Sequence, residues 1–238
     1  MEEIKAFPRF SFIDKNAQGT KEYRYEQSGM IFVLIPDGEF IMGNDEELRT
    51  KDEKPAHKVV IKEFLIAKYP TTQDVWQKIM GSNPSKFKKG GNYPVDTVSW
   101  DNCQEFCQKT GLRLPTEAEW EFAFRSWTTT RYFWGEHEDM EYMWFQRNAE
   151  KSTHPVGQKK PNNFGLYDMA GNVWEWCQDW YGPYSATSQI NPGGPETGEQ
   201  KVMRGGSWFS FHYNCTATNR FGAKPSKLLN LNGFRCAF

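Results

Sequence analysis

No stretch of this chain approaches the roughly 18–20 consecutive apolar residues that a membrane-crossing helix needs, and neither sign of charge predominates. Its 238 residues carry 29 Lys and Arg against 30 Asp and Glu, a net charge of −1. Sequence-independent nucleic-acid binding needs a basic surface, so that class is set aside. Met1 to Asp14 lacks the basic start, apolar stretch and small-residue cleavage site of a secretory leader. The expected location is the cytoplasm, or the cell surface if a leader has been removed. Histidine is scarce: His57, His137, His154 and His212 show no metal-ligand spacing. Cysteine comes in an odd number, with Cys103, Cys107, Cys177, Cys215 and Cys236. That count argues against a complete disulfide framework, and buried apolar thiols are the simpler reading. Internal repeats, linkers and low-complexity segments are lacking too, so a single domain over 1–238 is expected.

Aromatic residues are plentiful at 16 %, with 10 Trp, enough to build a sizeable core. Residues 31–43 read as a hairpin of two strands turning at Pro36-Asp37-Gly38. The charged stretch 44–57 reads as an exposed loop, and 59–69 as a further strand. Thr71 ahead of Asp74, Val75, Trp76, Ile79 and Met80 opens a helix that Gly81 can stop. Ser99 opens a second, with Cys103, Phe106 and Cys107 on one side and Gly111 past its end. Thr116 and Glu119 form a T-x-x-E capping box ahead of Trp120 and Ala123. Beyond about residue 127 short aromatic runs alternate with Gly, Pro and Asn clusters, the pattern of short strands and structured loops.

Three stretches carry a family resemblance: TGLRLPTEAEWEFAFR at 110–125, NNFGLYDMAGNVWEWCQDWY at 162–181, and RGGSW at 204–208 with GFRCAF at 233–238. In order and spacing they resemble the formylglycine-generating-enzyme (sulfatase-modifying factor) family, over about 31–238 with the first strands included. The resemblance implies an α+β domain of modified C-type-lectin fold with few helices and much irregular structure. The same motifs also read as scaffold. Arg113 can pair with Glu117 or Glu119, and Trp120, Trp174, Trp176 and Trp180 are candidate core anchors. Gly205 and Gly206 permit positive φ or close backbone packing.

The family's oxidases, by the same resemblance, hold copper(I) with two cysteines, soft ligands suited to that ion. The first of those positions is Ser210 here and the second is Cys215. A hydroxyl does not replace a thiolate, so a non-catalytic protein is expected, with an oxidase of altered ligands as the alternative reading. Cys236 could substitute only if the fold brought it close. Some family members hold calcium partly through the Asn and Glu of G-N-x-W-E-W, which places a candidate calcium site at Asn172 and Glu175. No other cofactor is expected.

The C-terminal segment 204–238 is similar to the variable proteins of diversity-generating retroelements, those of Treponema included, which display a diversified patch on this fold. Lys, Glu, Gln, Met and Trp, which adenine-directed mutagenesis of Asn codons cannot produce, make up 68 of the 238 residues. The 15 residues from Phe209 to Ala223 contain none of them. The expected contact residues are Trp208, Phe209, Ser210, Phe211, His212, Tyr213 and Asn214, then Thr216, Thr218 and Phe221, with Leu229 and Leu231 beyond. Rigid rings among small polar neighbours make an adaptable binding surface. The opposing reading makes Phe209, Phe211 and Tyr213 one face of a buried strand. The expected partner is an unidentified protein ligand rather than nucleic acid, bound by a monomer with no membrane span.

Overall fold

The computed structural model describes residues 7–46 and 50–238. Six strands come first: β1 (Phe10–Lys15), β2 (Lys21–Tyr25), β3 (Ile31–Ile35), β4 (Gly38–Met42), β5 (His57–Ile61) and β6 (Phe64–Ala67). Three helices follow, α1 (Gln73–Met80), α2 (Trp100–Thr110) and α3 (Glu117–Arg125). The remainder holds β7 (Trp174–Trp180), β8 (Gln189–Ile190), β9 (Lys201–Arg204), β10 (Arg220–Ala223) and β11 (Asn232–Gly233) between long irregular segments. This is the expected α+β class.

The strands form three sheets, ordered β1-β2-β3-β6, β10-β9-β7-β11 and β4-β5-β8. The expected 31–43 hairpin does not form. Both strands exist, but β3 pairs with β6 and β4 with β5. Nor is 59–69 one strand: it breaks at Lys62-Glu63, and its halves enter different sheets. The cause is two-sided burial. Val33, Ile35, Phe64 and Ile66 face one core with Trp120 and Phe124. Phe32, Leu34, Leu65 and Ala67 face a second core with Trp76, Phe106 and Trp176. A strand buried on both faces reads as a continuous apolar run and does not advertise its partner. The β1–β2 pair at the sheet edge was not anticipated at all.

Two helices begin where their caps predict, whereas α1 starts one residue later than expected, after Thr72 rather than Thr71, with no side-chain cap bond. Ser99 accepts the Asn102 N–H at 3.1 Å and Thr116 accepts that of Glu119 at 3.2 Å, while Glu119 accepts the Thr116 N–H at 2.8 Å. Such reciprocal bonds satisfy donors that a helix start otherwise leaves open. Gly81 and Gly111 end α1 and α2 in the left-handed conformation. Trp120, Trp174 and Trp176 are buried as expected, whereas Trp180 is half-exposed and covers the Lys201 ammonium at 3.7 Å. The 44–57 stretch, of which 47–49 lie outside the described residues, is not simply an exposed loop. Glu53 is buried and accepts a hydrogen bond from the Thr218 hydroxyl at 2.5 Å.

Candidate functional site

Three buried arginines of the C-terminal frame fasten it to α3 and β7. Arg235 bonds both oxygens of Glu175, each at 2.7 Å. Arg220 does the same to Glu117 at 2.8 and 2.6 Å. Arg204 pairs with Glu121 and also donates to the carbonyls of Ala217, Thr218 and Asn219 at 2.6–3.0 Å. Arg113 takes the remaining helix acid, Glu119, at 2.6 and 2.7 Å. Planar guanidinium forks suit such bidentate pairing.

Between Arg204 and Asn219 the chain forms a loop. Gly205 and Gly206 start it at φ 92° and 75°, a region L side chains rarely adopt. A Cβ on Gly206 would also stand 2.5 Å from the Cys215 sulfur. The loop is held largely through main-chain atoms. Trp208 N–H donates to Asn172 O at 2.9 Å, Gln146 N–H to Ser210 O at 3.0 Å, and Ala217 N–H to Arg131 O at 3.0 Å. Within it, Ser210, Asn214 and Cys215 donate to the carbonyls of Ser207, Phe211 and His212.

With the backbone so occupied, the rings point outward. Phe209, Phe211 and Tyr213 are 55 %, 50 % and 47 % exposed. Residues 212–214 form a single 3₁₀ turn, so the buried-strand reading fails. Phe211 and Tyr213 stack with centroids 5.3 Å apart, and Phe209 lies 5.3 Å from Trp208. Trp208 is itself nearly buried, its indole N–H bonded to Asn230 O at 2.9 Å. His212 is half-buried, with the Tyr132 hydroxyl 2.9 Å from its Nδ1.

The expected residues are not all on this face. Thr216 and Thr218 are buried, and Thr218 serves Glu53. In an irregular turn, side-chain direction has no period to read. Phe221 is exposed but lies on β10 against Trp174. Leu229 lines a depression beside Lys86 and Lys88, and Leu231 packs partly against the second core. Asn214 is half-buried in the turn. Phe87, not anticipated, meets Trp208 edge-on at 5.3 Å. A lone aromatic within Lys86-Phe87-Lys88-Lys89 was the available signal.

The calcium candidates are otherwise engaged. Both Glu175 oxygens are taken by Arg235, and Oε2 also accepts the Trp120 indole N–H at 2.7 Å. Asn172 bonds the His154 backbone in both directions at 3.1 Å. Among the described residues no three His, Cys, Asp or Glu side chains are placed to hold a metal ion.

The residues at the copper position do not fit that ion. Ser210 Oγ is turned to Ser207, and Cys215 is buried, its thiol pushed up to about 12 by burial. Cys215 belongs to the first core and Cys236 to the second, beside Cys107, so Cys236 does not complete a pair with it. Away from the loop, a cavity of about 310 Å³ is lined by His57, Glu117, Asp179, Tyr184 and Arg220. Burial and the neighbouring Glu117 raise Asp179 to about 8.

Comparison with known proteins agrees with this architecture. The sulfatase-modifying factor enzyme 1-like domain matches residues 17–238. The chain is 35 % identical over 235 residues to a serine/threonine-protein kinase pkn1 of Chlamydia pneumoniae, covering 86 % of this chain and 37 % of that protein. It is 37 % identical over 165 residues to the formylglycine-generating enzyme of Streptomyces coelicolor, 61 % of this chain and 52 % of that one. It thus spans between a third and about half the length of these relatives. Among solved structures, Treponema denticola variable protein 1 superposes with a TM-score of 0.80 at 26 % identity, over 97 % of this chain and 99 % of that one.

Proposed function

The chain belongs to the sulfatase-modifying factor enzyme 1-like family, and we propose that it acts there as a non-catalytic protein that binds another protein through its C-terminal aromatic loop. The observation that carries this reading is the exposure of Phe209, Phe211 and Tyr213 on a loop anchored by its main chain. Exposed rings on a fixed backbone lose little entropy on binding and offer large contact area. The likeness to a variable protein over nearly the whole chain supports it. So does the single thiol, Cys215, at a position pair where the oxidases carry two. Such a role goes with display at the cell surface.

Two measurements test the reading. Sequencing the locus should show a nearby near-copy of the segment encoding Trp208 to Leu231, with adenines at the codons that differ, beside a reverse transcriptase. A locus without that copy, whose loop codons are invariant among isolates, overturns the diversified-patch reading. The family's enzymes point to the second test. A peptide containing C-x-P-x-R, incubated aerobically with copper-loaded protein, should remain unmodified by mass spectrometry. Formylglycine in that peptide overturns the non-catalytic reading.

A further inference from the structure

The aromatic loop does not stand alone on its face. Beside it runs the loop Lys86-Phe87-Lys88-Lys89, fixed at its base by the fully buried Asp96. The Asp96 oxygens accept the N–H groups of Lys86 at 2.7 Å and Phe87 at 3.2 Å, and the Thr97 hydroxyl at 2.7 Å. Phe87 meets Trp208 at 5.3 Å, and Trp208 meets Phe209 at the same separation. The lysines are thereby held beside the rings. Between this loop and the 228–230 segment lies an open depression of about 620 Å³, lined by Lys86, Lys88, Leu228 and Leu229 and by no acidic residue.

Lys86, Lys88, Lys89, Lys224 and Lys227 are all exposed. Among the described residues none of them enters an ion pair, although other exposed lysines do, such as Lys58 with Glu39 at 2.7 Å and Lys109 with Glu105 at 3.1 Å. The opposite side of the ring patch is charge-compensated. There Glu138 pairs with Arg147 and stands 3.7 Å from His212. The face is therefore lopsided: beside the rings stand the ammonium groups of Lys86 and Lys88 with no ion pair, Lys88 facing only the buried Asp96 at the base of its own loop, on a chain whose net charge is −1.

We infer that this face takes an acidic protein surface, an apolar or aromatic knob flanked by Asp or Glu that meets the 86–89 lysines. The inference rests on the ligand-binding reading above and adds the chemistry of the partner. Like-signed rim charges steer encounter and reject partners of the same sign. A protein is favoured over a nucleic acid because the chain has no net positive charge, whereas phosphate-backbone binding draws on an extended basic surface.

The test uses random peptides displayed on phage, panned against the full chain with an unrelated protein as control. Enriched sequences should combine Asp or Glu with a large apolar residue. Synthetic copies should bind the double variant Lys86→Glu/Lys88→Glu about tenfold or more weakly, and should bind Lys58→Glu like the parent. Neutral or basic enriched peptides, unaffected binding to the double variant, or no enrichment over the control each overturn the inference. So does an oligothymidylate probe that binds at the lysines while the peptides show no acidic bias. Phe211→Ala/Tyr213→Ala separates the two readings. Acidic peptides that need the lysines but not the rings sustain the acidic-partner inference and overturn the ring-centred site. Peptides that need the rings but not the lysines do the reverse.

Discussion

Ser210 and Ser207 hold one another through three contacts: Ser207 N–H donates to the Ser210 hydroxyl at 3.0 Å, Ser210 N–H donates to the Ser207 carbonyl at 3.0 Å, and the two hydroxyl oxygens lie 3.2 Å apart. The side chain at the position where the oxidases bear a thiol is here a strut of the loop's first turn.

The thiols should be silent in the native protein. All five are buried, and burial raises Cys103, Cys177, Cys215 and Cys236. Since the thiolate is the reactive form, a brief iodoacetamide pulse at neutral pH should label none of them, and the same pulse in guanidinium should label all five. Rapid native labelling at Cys215, located by peptide mapping, would contradict the packing described.

The display rings and their anchors should differ sharply in what they contribute to stability. Phe211→Ala/Tyr213→Ala removes exposed groups and is expected to change the unfolding free energy by no more than about 1 kcal/mol. Arg204→Ala removes one of the two guanidinium partners of the buried Glu121, leaving Arg125 at 2.9 Å, and frees three carbonyls, with an expected cost of about 3 kcal/mol or more, or failure to fold. Urea unfolding of both variants beside the parent measures the contrast. A ring variant as damaged as the arginine variant would mean the rings are core.

Much of this was legible in the sequence, for reasons that vary by element. The three helices declare themselves through local chemistry: Ser99 and Thr116 cap, and Gly81 and Gly111 stop. The left-handed glycines at 205 and 206 were equally local. Strand pairing was not legible, because Phe32 and Val33 are both buried and nothing nearby says that β3 prefers β6 over β4. The site was readable where side chains project from an exposed turn, as at Phe209, Phe211 and Tyr213. It failed at Thr216 and Thr218, small polar residues that chemistry alone cannot tell from contact residues. The Phe87 contact depends on a fold-level approach of two distant segments.

Asp179 gives a pH signature. Its carboxyl is raised from 3.8 to about 8, so between those limits the folded protein keeps a proton that the unfolded chain has released. The associated stability is fully present below about pH 4 and is lost as the pH rises through about 8. Asp179→Asn preserves an acceptor for the Glu117 N–H, at 2.8 Å in the parent, and removes the titration. Between about pH 5 and 8 the parent should lose on the order of a few kcal/mol more than the variant, since one pKa unit corresponds to about 1.4 kcal/mol. Parallel pH profiles would show that Asp179 is ionised throughout.

Calcium should leave thermal stability unchanged. A ligand that binds only the native state raises the melting temperature as the logarithm of its concentration over its dissociation constant, and both Glu175 oxygens are engaged by Arg235 and Trp120. Neither EDTA nor roughly 1 mM calcium should move the melting temperature by more than about 1 °C. A calcium-dependent rise that Glu175→Gln abolishes would restore the cation at that position.

The fastening of the 207–217 loop by amide and carbonyl groups has an outcome beyond recognition itself. Any residue except proline can supply those groups, so the letters written at 209, 211 and 213 are nearly free of the grammar that folds the molecule. A library randomised there should yield mostly folded members, making the chain a host for selecting new specificities much as antibody frameworks are used.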